Sequence, residues 1–377
     1  MYYYVDHTSR FQRNTGIQRC VRVIAAALME VGVPLRPLVW NREQQDFETP
    51  TLQALAHLGQ WSGPDPAGWG RGEVEARDTW LLIVELVRGP HQPTAAQLRR
   101  AAERRGLRLA WVFHDAIPVR LAGLYGPAAE STAASHRAYM AGLATADLVL
   151  ANSHTTASHL RSFLQQQGLG AESVQALPLA LEFPGVPRGA PRQPHGAEAG
   201  RPLRLLCVGS LERRKNHAGL LKAVAWLVAQ QRFAAWLVLV GWPNDPAVVA
   251  LVRRAQALGL PLRWEDAADD QRLAVLYHWC DATVVASLEE GFGLPVAESL
   301  WHGRPCLTTV EGALGELVVG GGCLPLAGSA WPQLADGLQR WLGDQELRER
   351  LARQVQQRPL RPWSHYATEL LARLDRC

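Results

Sequence analysis

The feature that most constrains the fold of this chain is a repeated alternation of short apolar segments with longer amphipathic ones. Thr79–Glu85 is a nearly continuous apolar run, which is typical of a strand buried on both faces of a parallel sheet. Strands of this type are also predicted at Met1–Val5, Leu107–Phe113 and Asp147–Ala151, with helices at Ile17–Val31, Pro93–Arg105, Ser135–Ala144 and Thr155–Gln167. Strands that alternate with helices at this spacing predict βαβ units and a doubly wound parallel sheet.

The alternation is interrupted at residues 183–202, which hold nine Pro and Gly residues without apolar periodicity and therefore predict a linker or surface loop. It then starts again. Strands are predicted at Leu203–Val208, Trp236–Val240, Ala282–Ala286 and Arg304–Thr309, and helices at His217–Ala229, Ala247–Leu258, Asp270–Trp279 and Pro295–His302. The chain of 377 residues is long enough for two domains of ordinary size. We therefore expect two Rossmann-like α/β domains, with a ligand bound between them at the carboxyl ends of the strands.

Charge and composition exclude several classes of protein. The net charge is +4, and each half of the chain carries +2, so neither half is an obvious nucleic-acid surface. No apolar run approaches the roughly 18 residues of a membrane span, and no basic leader precedes an apolar stretch at the amino terminus. The six cysteines are scattered without CxxC pairs, which fits reduced thiols better than disulfides or a zinc site. We expect a cytoplasmic globular protein.

The segment Ser287–Glu298 carries the most chemical information. It reads SLEEGFGLPVAE and follows a predicted buried strand, with Pro295 where a helix would begin. The Gly291-Phe292-Gly293 turn can therefore offer free backbone N–H groups at a helix amino terminus, where anions and hydroxyls bind. Glu290 and Glu298 lie eight positions apart on either side of this turn, and both could accept hydrogen bonds from sugar hydroxyls. A glycine turn followed by an ordinary acidic helix start is the alternative.

A basic segment follows the first strand of the second half. Val208–His217 reads VGSLERRKNH, with Asn216 a plausible cap of the next helix. Gly209 allows close approach of the backbone, and Arg214 and Lys215 place two cations beside a helix amino terminus, which suits a diphosphate. The chain has 39 basic residues, of which only Lys215 and Lys222 are lysines. A lysine at position 215 therefore indicates a functional role more than a chance substitution. A solvated Arg-rich loop is the alternative.

In the first half, polar residues follow two predicted strands. His114 and Asp115 lie at the carboxyl end of the strand Leu107–Phe113, where ligands of α/β sheets are usually bound. The alternative for this pair is a capping interaction before Pro118. Asn14–Arg19 reads NTGIQR, and Gly16 lets the first helix approach the expected ligand site.

These segments together resemble the retaining glycosyltransferases of the GT-B fold, in particular the large family-four, or group 1, type. Ser287–Glu298 resembles the E-x7-E signature of that family, Val208–His217 its G-x-x-x-x-R-K element, His114–Pro118 its HD-x-x-P element and Asn14–Arg19 its TGI-x-R element. The resemblance implies a GT-B fold in which two Rossmann-like domains face each other across a cleft. The amino-terminal domain (1–182) would bind the acceptor and the carboxyl-terminal domain (203–360) the nucleotide sugar, while the terminal helix (361–377) packs back toward the amino-terminal domain.

The resemblance also assigns roles to residues. Glu290 would contact the donor sugar and Glu298 the nucleotide ribose, and Arg214 and Lys215 would neutralise the leaving diphosphate. His114 would lie beside the donor sugar and the acceptor, and Asp115 near the acceptor. The remaining donor-binding residues would be Gly16, Gly209, Gly291, Phe292, Gly293 and Leu294.

The implied activity is transfer of a hexose, with retention of configuration, from a GDP-mannose-like or UDP-hexose-like donor to a hydroxyl of a glycan or glycolipid. Surface polysaccharide biosynthesis by a mannosyltransferase would be one such setting. No D-x-D triplet occurs, so no metal is expected, and the nucleotide sugar is a co-substrate, not a bound cofactor. Two alternatives remain open: a GT-B epimerase or phosphorylase, and a non-catalytic module that binds sugar nucleotides.

An Arg-rich stretch, Leu98–Arg108, carries five arginines and one acid on and just after a predicted helix: Arg99, Arg100, Arg104, Arg105 and Arg108. Basic helices bind anionic lipid headgroups, and a solvated Arg-rich face is the alternative. We expect at most weak, salt-sensitive peripheral contact with the inner face of the membrane.

Overall fold

The computed structural model describes residues 1–70, 79–89, 91–190 and 202–377, and these form two compact units. The first unit consists of Met1–Ala180 together with Arg361–Cys377, and the second of Leu181–Leu360. Most of the predicted linker, residues 191–201, lies outside the described residues. Each unit has its own parallel sheet and its own apolar core.

Within the described residues, the sheet of the first unit has seven strands in the order β3-β2-β1-β4-β5-β6-β7. Their bounds are Tyr2–Tyr4 (β1), Arg36–Asn41 (β2), Asp46–Glu48 (β3), Thr79–Ile83 (β4), Leu107–Phe113 (β5), Leu148–Ala151 (β6) and Val174–Ala176 (β7). All neighbours pair parallel except β2 and β3, which form an antiparallel hairpin at the edge. The central strands are buried on both faces, because helices cover both sides of a parallel sheet.

The helices of the first unit before its terminal segment are Gly16–Glu30 (α1), Leu52–Leu58 (α2), Ala95–Arg104 (α3), Ile117–Arg120 (α4), Ala129–Gly142 (α5) and His154–Gln166 (α6). Local sequence accounts for several of their starts. The Thr94 side chain caps α3 in a capping box with Gln97, and the Ser153 side chain accepts the Thr156 N–H at the start of α6.

Within the described residues, the second unit has six strands, all parallel, in the order β10-β9-β8-β11-β12-β13. Their bounds are Leu203–Val208 (β8), Ala235–Val240 (β9), Leu262–Glu265 (β10), Ala282–Val285 (β11), Cys306–Thr308 (β12) and Cys323–Pro325 (β13). The helices are His217–Ala229 (α7), Pro246–Ala257 (α8), Asp270–Trp279 (α9), Leu294–Trp301 (α10), Leu314–Val318 (α11), Trp331–Gly343 (α12) and Gln345–Gln357 (α13). The order of strands reverses between β8 and β11, and ligands of open α/β sheets bind at such a point.

Two segments at the borders of the units are held by specific contacts. The last helix, Trp363–Leu374 (α14), belongs to the first unit and packs against α1. Residues 183–190, which the sequence predicts as part of a linker, pack on the second unit. The Phe183 side chain is fully buried there, and the Arg188 guanidinium donates to the carbonyls of Val355 and Arg358, each at 2.9 Å. The density of proline and glycine thus predicted an irregular segment, and long-range contacts hold residues 183–190 of this segment against the second unit.

The elements predicted from periodicity are present, most within one or two residues of the expected ends. The short edge strands β3, β7, β10 and β13 carried too few residues to give a period, and they were missed together with β2, α2, α4, α11, α12 and α13. Among the described residues, every helix is too short or too polar to serve as a membrane span.

Candidate functional site

In the second unit, the two sequence motifs that carry charge come together at the carboxyl ends of neighbouring strands. Arg214 and Lys215 lie in a 3₁₀ turn after β8, and Glu290 lies in the loop after β11. Because β8 and β11 pair directly and in parallel, the segments that follow them meet at the same edge of the sheet. Residues separated by 75 positions in sequence therefore come into contact.

Glu290 is the centre of this charged cluster. Its Oε1 accepts hydrogen bonds from Lys215 Nζ at 2.6 Å and from Ser287 Oγ at 2.7 Å, and its Oε2 accepts from Arg214 Nη1 at 2.7 Å. The Glu290 carboxylate is only 9% exposed, and the Lys215 and Arg214 side chains are 14% and 20% exposed. Two cations therefore lie near the surface of the site, and the carboxylate lies beneath them.

The charge state of Glu290 follows from two opposing effects. Burial by itself would raise the pKa of this carboxyl, but the positive charges of Arg214 and Lys215 outweigh burial and lower the pKa to about 2. Glu290 is thus ionised at every physiological pH. Glu212 adds a second acceptor, since its Oε1 accepts from Arg214 Nη2 at 2.7 Å.

The glycine-rich turn between Glu290 and α10 requires glycine at its last position. Gly293 has φ +107° and is the residue before α10, and a Cβ there would lie 2.7 Å from Cδ2 of Leu314. Gly291 and Phe292 are buried beside it, and Leu294 is the first residue of the helix. The turn therefore brings the backbone to the amino terminus of α10 with no side chain at Gly293.

Gly209 serves the basic motif in a similar way. A Cβ on this residue would lie 3.3 Å from Cδ of Lys215, so the glycine leaves room for the lysine stem to run along the backbone. The helix after the motif is capped as predicted, because the Asn216 side chain accepts the Gly219 N–H at 3.2 Å. Lys215 is therefore directed toward Glu290 by a tight backbone contact on one side and a helix start on the other.

Glu298 has different partners. It lies on α10, is 5% exposed, and its Oε2 accepts a hydrogen bond from the Tyr277 hydroxyl at 2.6 Å. Sequence reasoning did not identify Tyr277, because its partner is 21 residues away and the spacing carries no signal. Ser287 lies only three positions before its partner Glu290, and sequence reasoning gave it no role.

The first unit contains the other predicted residues. His114 is buried at the end of β5, where its Nε2 lies 2.6 Å from the carbonyl oxygen of Val84, and burial lowers its pKa. The imidazole is therefore neutral above its ordinary pKa of 6.5. Asp115 caps the short helix α4, since its Oδ1 accepts the Ile117 N–H at 3.0 Å. Gly16 is the exposed first residue of α1.

A buried acid that sequence reasoning assigned to a strand lies near these residues. Glu85 follows the end of β4 and is 1% exposed. Its Oε2 accepts the His7 N–H at 2.9 Å and its Oε1 the Thr8 N–H at 2.5 Å, so the carboxylate holds the loop between β1 and α1. Burial raises the pKa of Glu85 to about 7. An acid at the end of an otherwise apolar run was the signal that could have revealed it.

The arginines of Leu98–Arg108 mostly contact the chain itself. Arg99 Nη1 pairs with Asp147 Oδ2 at 2.7 Å, and Arg104 and Arg105 donate to the carbonyls of Gln45 and Phe47 at 2.7 and 2.6 Å. The Arg108 guanidinium lies 4.1 Å from the centroid of the Trp80 ring. Four of the five arginines thus have a partner within the described part of the chain.

Residues 192–358 match the family model for glycosyl transferases group 1. The chain is 26% identical over 313 residues to the serotype-specific mannosyltransferase WbdA of Escherichia coli, a match that covers 78% of this chain and 36% of that protein. It spans about a third of the length of the mannosyltransferase relatives that it matches.

Solved structures show the same fold over the whole chain. Sucrose-phosphate synthase from Thermosynechococcus elongatus has a TM-score of 0.68 at 18% identity, over 100% of this chain and 98% of that one. Anabaena Alr3699/HepE in complex with UDP-glucose has a TM-score of 0.63 at 15% identity, over 100% and 99%. The chain therefore has the GT-B fold of glycosyltransferases, as predicted. The match of residues 192–358 to the group 1 glycosyltransferase model agrees with the resemblance seen in the sequence.

Proposed function

We propose that this glycosyltransferase moves a hexose from a nucleoside-diphosphate sugar to a hydroxyl of a glycan or glycolipid, with retention of configuration and without a metal ion. The observation that carries the proposal is the cluster of Arg214, Lys215 and Glu290 at the carboxyl ends of β8 and β11. It joins two cations suited to a diphosphate with a permanently ionised carboxylate suited to sugar hydroxyls.

Each residue of the site is assigned a role in binding the donor. Arg214 and Lys215 bind the diphosphate and stabilise its charge as the bond to the sugar breaks, while Glu290 hydrogen-bonds the transferred sugar. The backbone of Gly291, Phe292 and Gly293 lines the sugar, and Leu294 begins the helix at whose amino terminus it lies. Glu298 binds the ribose, and Gly209 and Gly16 allow close approach of backbone to donor.

In the first unit, we assign His114 to the transferred sugar and Asp115 to the acceptor. Because burial lowers the pKa of His114, the imidazole acts as a neutral hydrogen-bonding group. In the reaction, the bond between the anomeric carbon and the diphosphate oxygen breaks and a bond to the acceptor oxygen forms. The acceptor proton passes to the departing phosphate.

Donor binding must rearrange the charged cluster. Arg214 and Lys215 both pair with the Glu290 carboxylate, at 2.7 and 2.6 Å. A diphosphate must therefore compete with this carboxylate for the same two cations, and once they turn to the phosphates Glu290 is released to bind the sugar. Binding of diphosphate and positioning of the sugar are thus coupled through one carboxylate.

The donor is chosen among GDP-mannose-like and UDP-hexose-like compounds. The mannosyltransferase relatives support mannose, and the UDP-glucose complex of HepE, which shares only the fold, supports a nucleotide sugar in general. A bacterial surface polysaccharide or a glycolipid is the acceptor class that the family resemblance suggests.

The test is release of nucleoside diphosphate from a panel of GDP-, UDP-, dTDP- and ADP-sugars, with and without glycan acceptors. Acceptor-dependent release from one donor is expected, with the anomeric configuration of the product, read by NMR, the same as that of the donor. EDTA should leave the rate unchanged. An inverted product would overturn retention, and activity lost with EDTA and restored by Mg²⁺ or Mn²⁺ would overturn metal independence. Absence of turnover with tight nucleotide binding would favour a binding module.

A further inference from the structure

A buried hydrogen bond connects Glu298 to a residue to which no role has been given. The Tyr277 hydroxyl donates to Glu298 Oε2 at 2.6 Å, and the two residues are 0% and 5% exposed. A hydroxyl that donates to a carboxylate at this distance makes a short, charge-assisted hydrogen bond, which is about twice as strong as a neutral one. The Oε2 atom of Glu298 is therefore held by a group on a different helix.

Tyr277 itself has little freedom to move. Its ring stacks on the His302 ring with centroids 4.7 Å apart and planes at 8°, and the Phe183 ring packs edge-on at 6.2 Å. The Tyr277 carbonyl accepts a hydrogen bond from Arg304 Nε at 2.9 Å. The Tyr277 ring is therefore held by two aromatic contacts, and its backbone by a hydrogen bond.

The ring beneath Tyr277 stays uncharged. Burial and the neighbouring His278 and Arg304 lower the pKa of His302 to about 3, so the stacked imidazole is neutral at physiological pH. The stack is then a contact between two uncharged rings, and it does not vary with pH in this range. It supports the tyrosine without competing for the Glu298 charge.

A carboxylate at the end of a glutamate side chain has free rotation about its last bonds unless something fixes it. Recognition of a ribose diol by a carboxylate needs both position and orientation, because bidentate hydrogen bonds tolerate little displacement. We propose that Tyr277 is a positioning residue, whose hydroxyl fixes the Glu298 carboxylate for the hydroxyls of the donor ribose. The proposal rests on the assignment of Glu298 to the ribose made above.

The experiment measures how much the ribose hydroxyls contribute to binding. Calorimetry gives the Kd of GDP and of UDP, each beside its 2′,3′-dideoxy counterpart, for the wild type and for Tyr277→Phe. The control is Tyr366→Phe, which removes a buried hydroxyl that has no hydrogen-bond partner in the described structure. Glu298→Gln is measured in parallel.

In the wild type, the better of the two nucleotides should bind at least about tenfold more tightly than its dideoxy form, as expected for hydrogen bonds to a charged group. Tyr277→Phe should narrow this ratio about three- to tenfold, chiefly by weakening the ribose-containing nucleotide, while Tyr366→Phe leaves it unchanged. In turnover, Tyr277→Phe should raise KM for the donor more than it lowers kcat. Should the phenylalanine variant not fold, Glu298→Asp tests the same hydrogen bond, because the shorter side chain withdraws its carboxylate from the hydroxyl.

The outcomes separate two failures. A Tyr277→Phe protein, or the Glu298→Asp substitute, that keeps the wild-type ratio overturns the positioning role and leaves the proposed function standing. Equal weakening of both nucleotide forms assigns Tyr277 a structural role only and also overturns it. A wild type that does not discriminate the dideoxy form, with a Glu298→Gln variant that binds as well, shows that the ribose assignment itself is wrong.

Discussion

Two buried glutamates, one in each unit, occupy similar places in the sheet and have opposite acid strengths. Glu85 follows β4 in the first unit and Glu290 follows β11 in the second, and each accepts hydrogen bonds at both oxygens. Burial raises the pKa of Glu85 to about 7, whereas Arg214 and Lys215 overcome burial and lower that of Glu290 to about 2. The difference lies in the donors, since backbone N–H groups carry no net charge.

The comparison shows which of the two acids is suited to binding a substrate. Glu85 uses both oxygens on the backbone of the loop between β1 and α1, so it fixes the conformation of the chain. Glu290 holds the side chains of Arg214 and Lys215, which under the proposed function turn to the diphosphate of the donor. A carboxylate that pairs with charged side chains can exchange these partners for a ligand, whereas one that pairs with backbone N–H groups stabilises the conformation of a loop.

The largest effect should follow from Glu290→Gln. The amide keeps the size of the side chain but no longer neutralises the cations, so turnover should fall at least about a hundredfold as the sugar loses its charged partner. The affinity for free nucleoside diphosphate should rise about tenfold, because the competing carboxylate is gone. If Glu290 contacted only the donor sugar, its loss would leave this affinity almost unchanged, and the two ion pairs alter that expectation.

The measurements are steady-state kinetics and calorimetry with the nucleoside diphosphate. Glu346→Gln, an exposed acid at the start of α13, is the control and should behave as the wild type. Weaker nucleotide binding by Glu290→Gln would show that the carboxylate orders the cations and does not compete with the ligand.

The two lysines of the chain provide the next test, since one lies in the cluster and the other on an exposed position of α7. Lys215→Met should weaken nucleoside diphosphate binding about ten- to hundredfold, because a charged hydrogen bond to the phosphates is lost. Lys222→Met makes the same chemical change and should leave binding unchanged. Equal behaviour of the two variants in calorimetry would remove Lys215 from the diphosphate site.

A smaller effect concerns Glu85 and the stability of the protein. Because the pKa of Glu85 is higher in the folded protein than its ordinary value of 4.5, the folded state binds the proton more tightly than the unfolded state. Its contribution to the free energy of unfolding is complete below pH 4.5 and is lost as pH rises to about 7, by about 3 kcal/mol at most.

Urea unfolding at several pH values checks this sign. Glu85→Gln should lack the decline between these pH values, and Glu103→Gln, an exposed acid on α3, should retain it. If both variants and the wild type decline in parallel, Glu85 is ionised in the folded protein like Glu290, and the contrast between the two acids disappears.

The smallest effect is expected for the cations of the first unit. Four of the five arginines of Leu98–Arg108 contact an acid, a carbonyl or an aromatic ring of the chain itself, which an approaching lipid headgroup would have to displace. Sedimentation with vesicles rich in anionic lipid should show weak binding at low salt, reduced by Arg100→Gln and absent at physiological ionic strength. Binding that persists at high salt, or to neutral vesicles, would contradict an electrostatic contact.

The sequence by itself determined the α/β class and the division into two α/β halves, and its motifs carried the resemblance to group 1 glycosyltransferases. Long strands and helices have a recognisable periodicity of apolar residues. The bounds of Leu203–Val208, His217–Ala229 and Asp270–Trp279 were therefore predicted to the residue. The short edge strands have no such period. Motif spacing also predicted Glu290, Glu298, Arg214 and Lys215 as site residues, because glycines and charged residues that follow a buried strand are typical of ligand-binding loops.

Only the tertiary structure decided how these residues are paired. The contact of Glu290 with Arg214 and Lys215 spans 75 or more positions and depends on β8 and β11 being neighbours in the sheet. The hydrogen bond from Tyr277 to Glu298 and the backbone contacts of Glu85 likewise follow from packing of separate elements. Local sequence determines which charged and polar groups each element carries. The order of the strands determines which of these groups come into contact, and these contacts determine the pKa of each carboxyl.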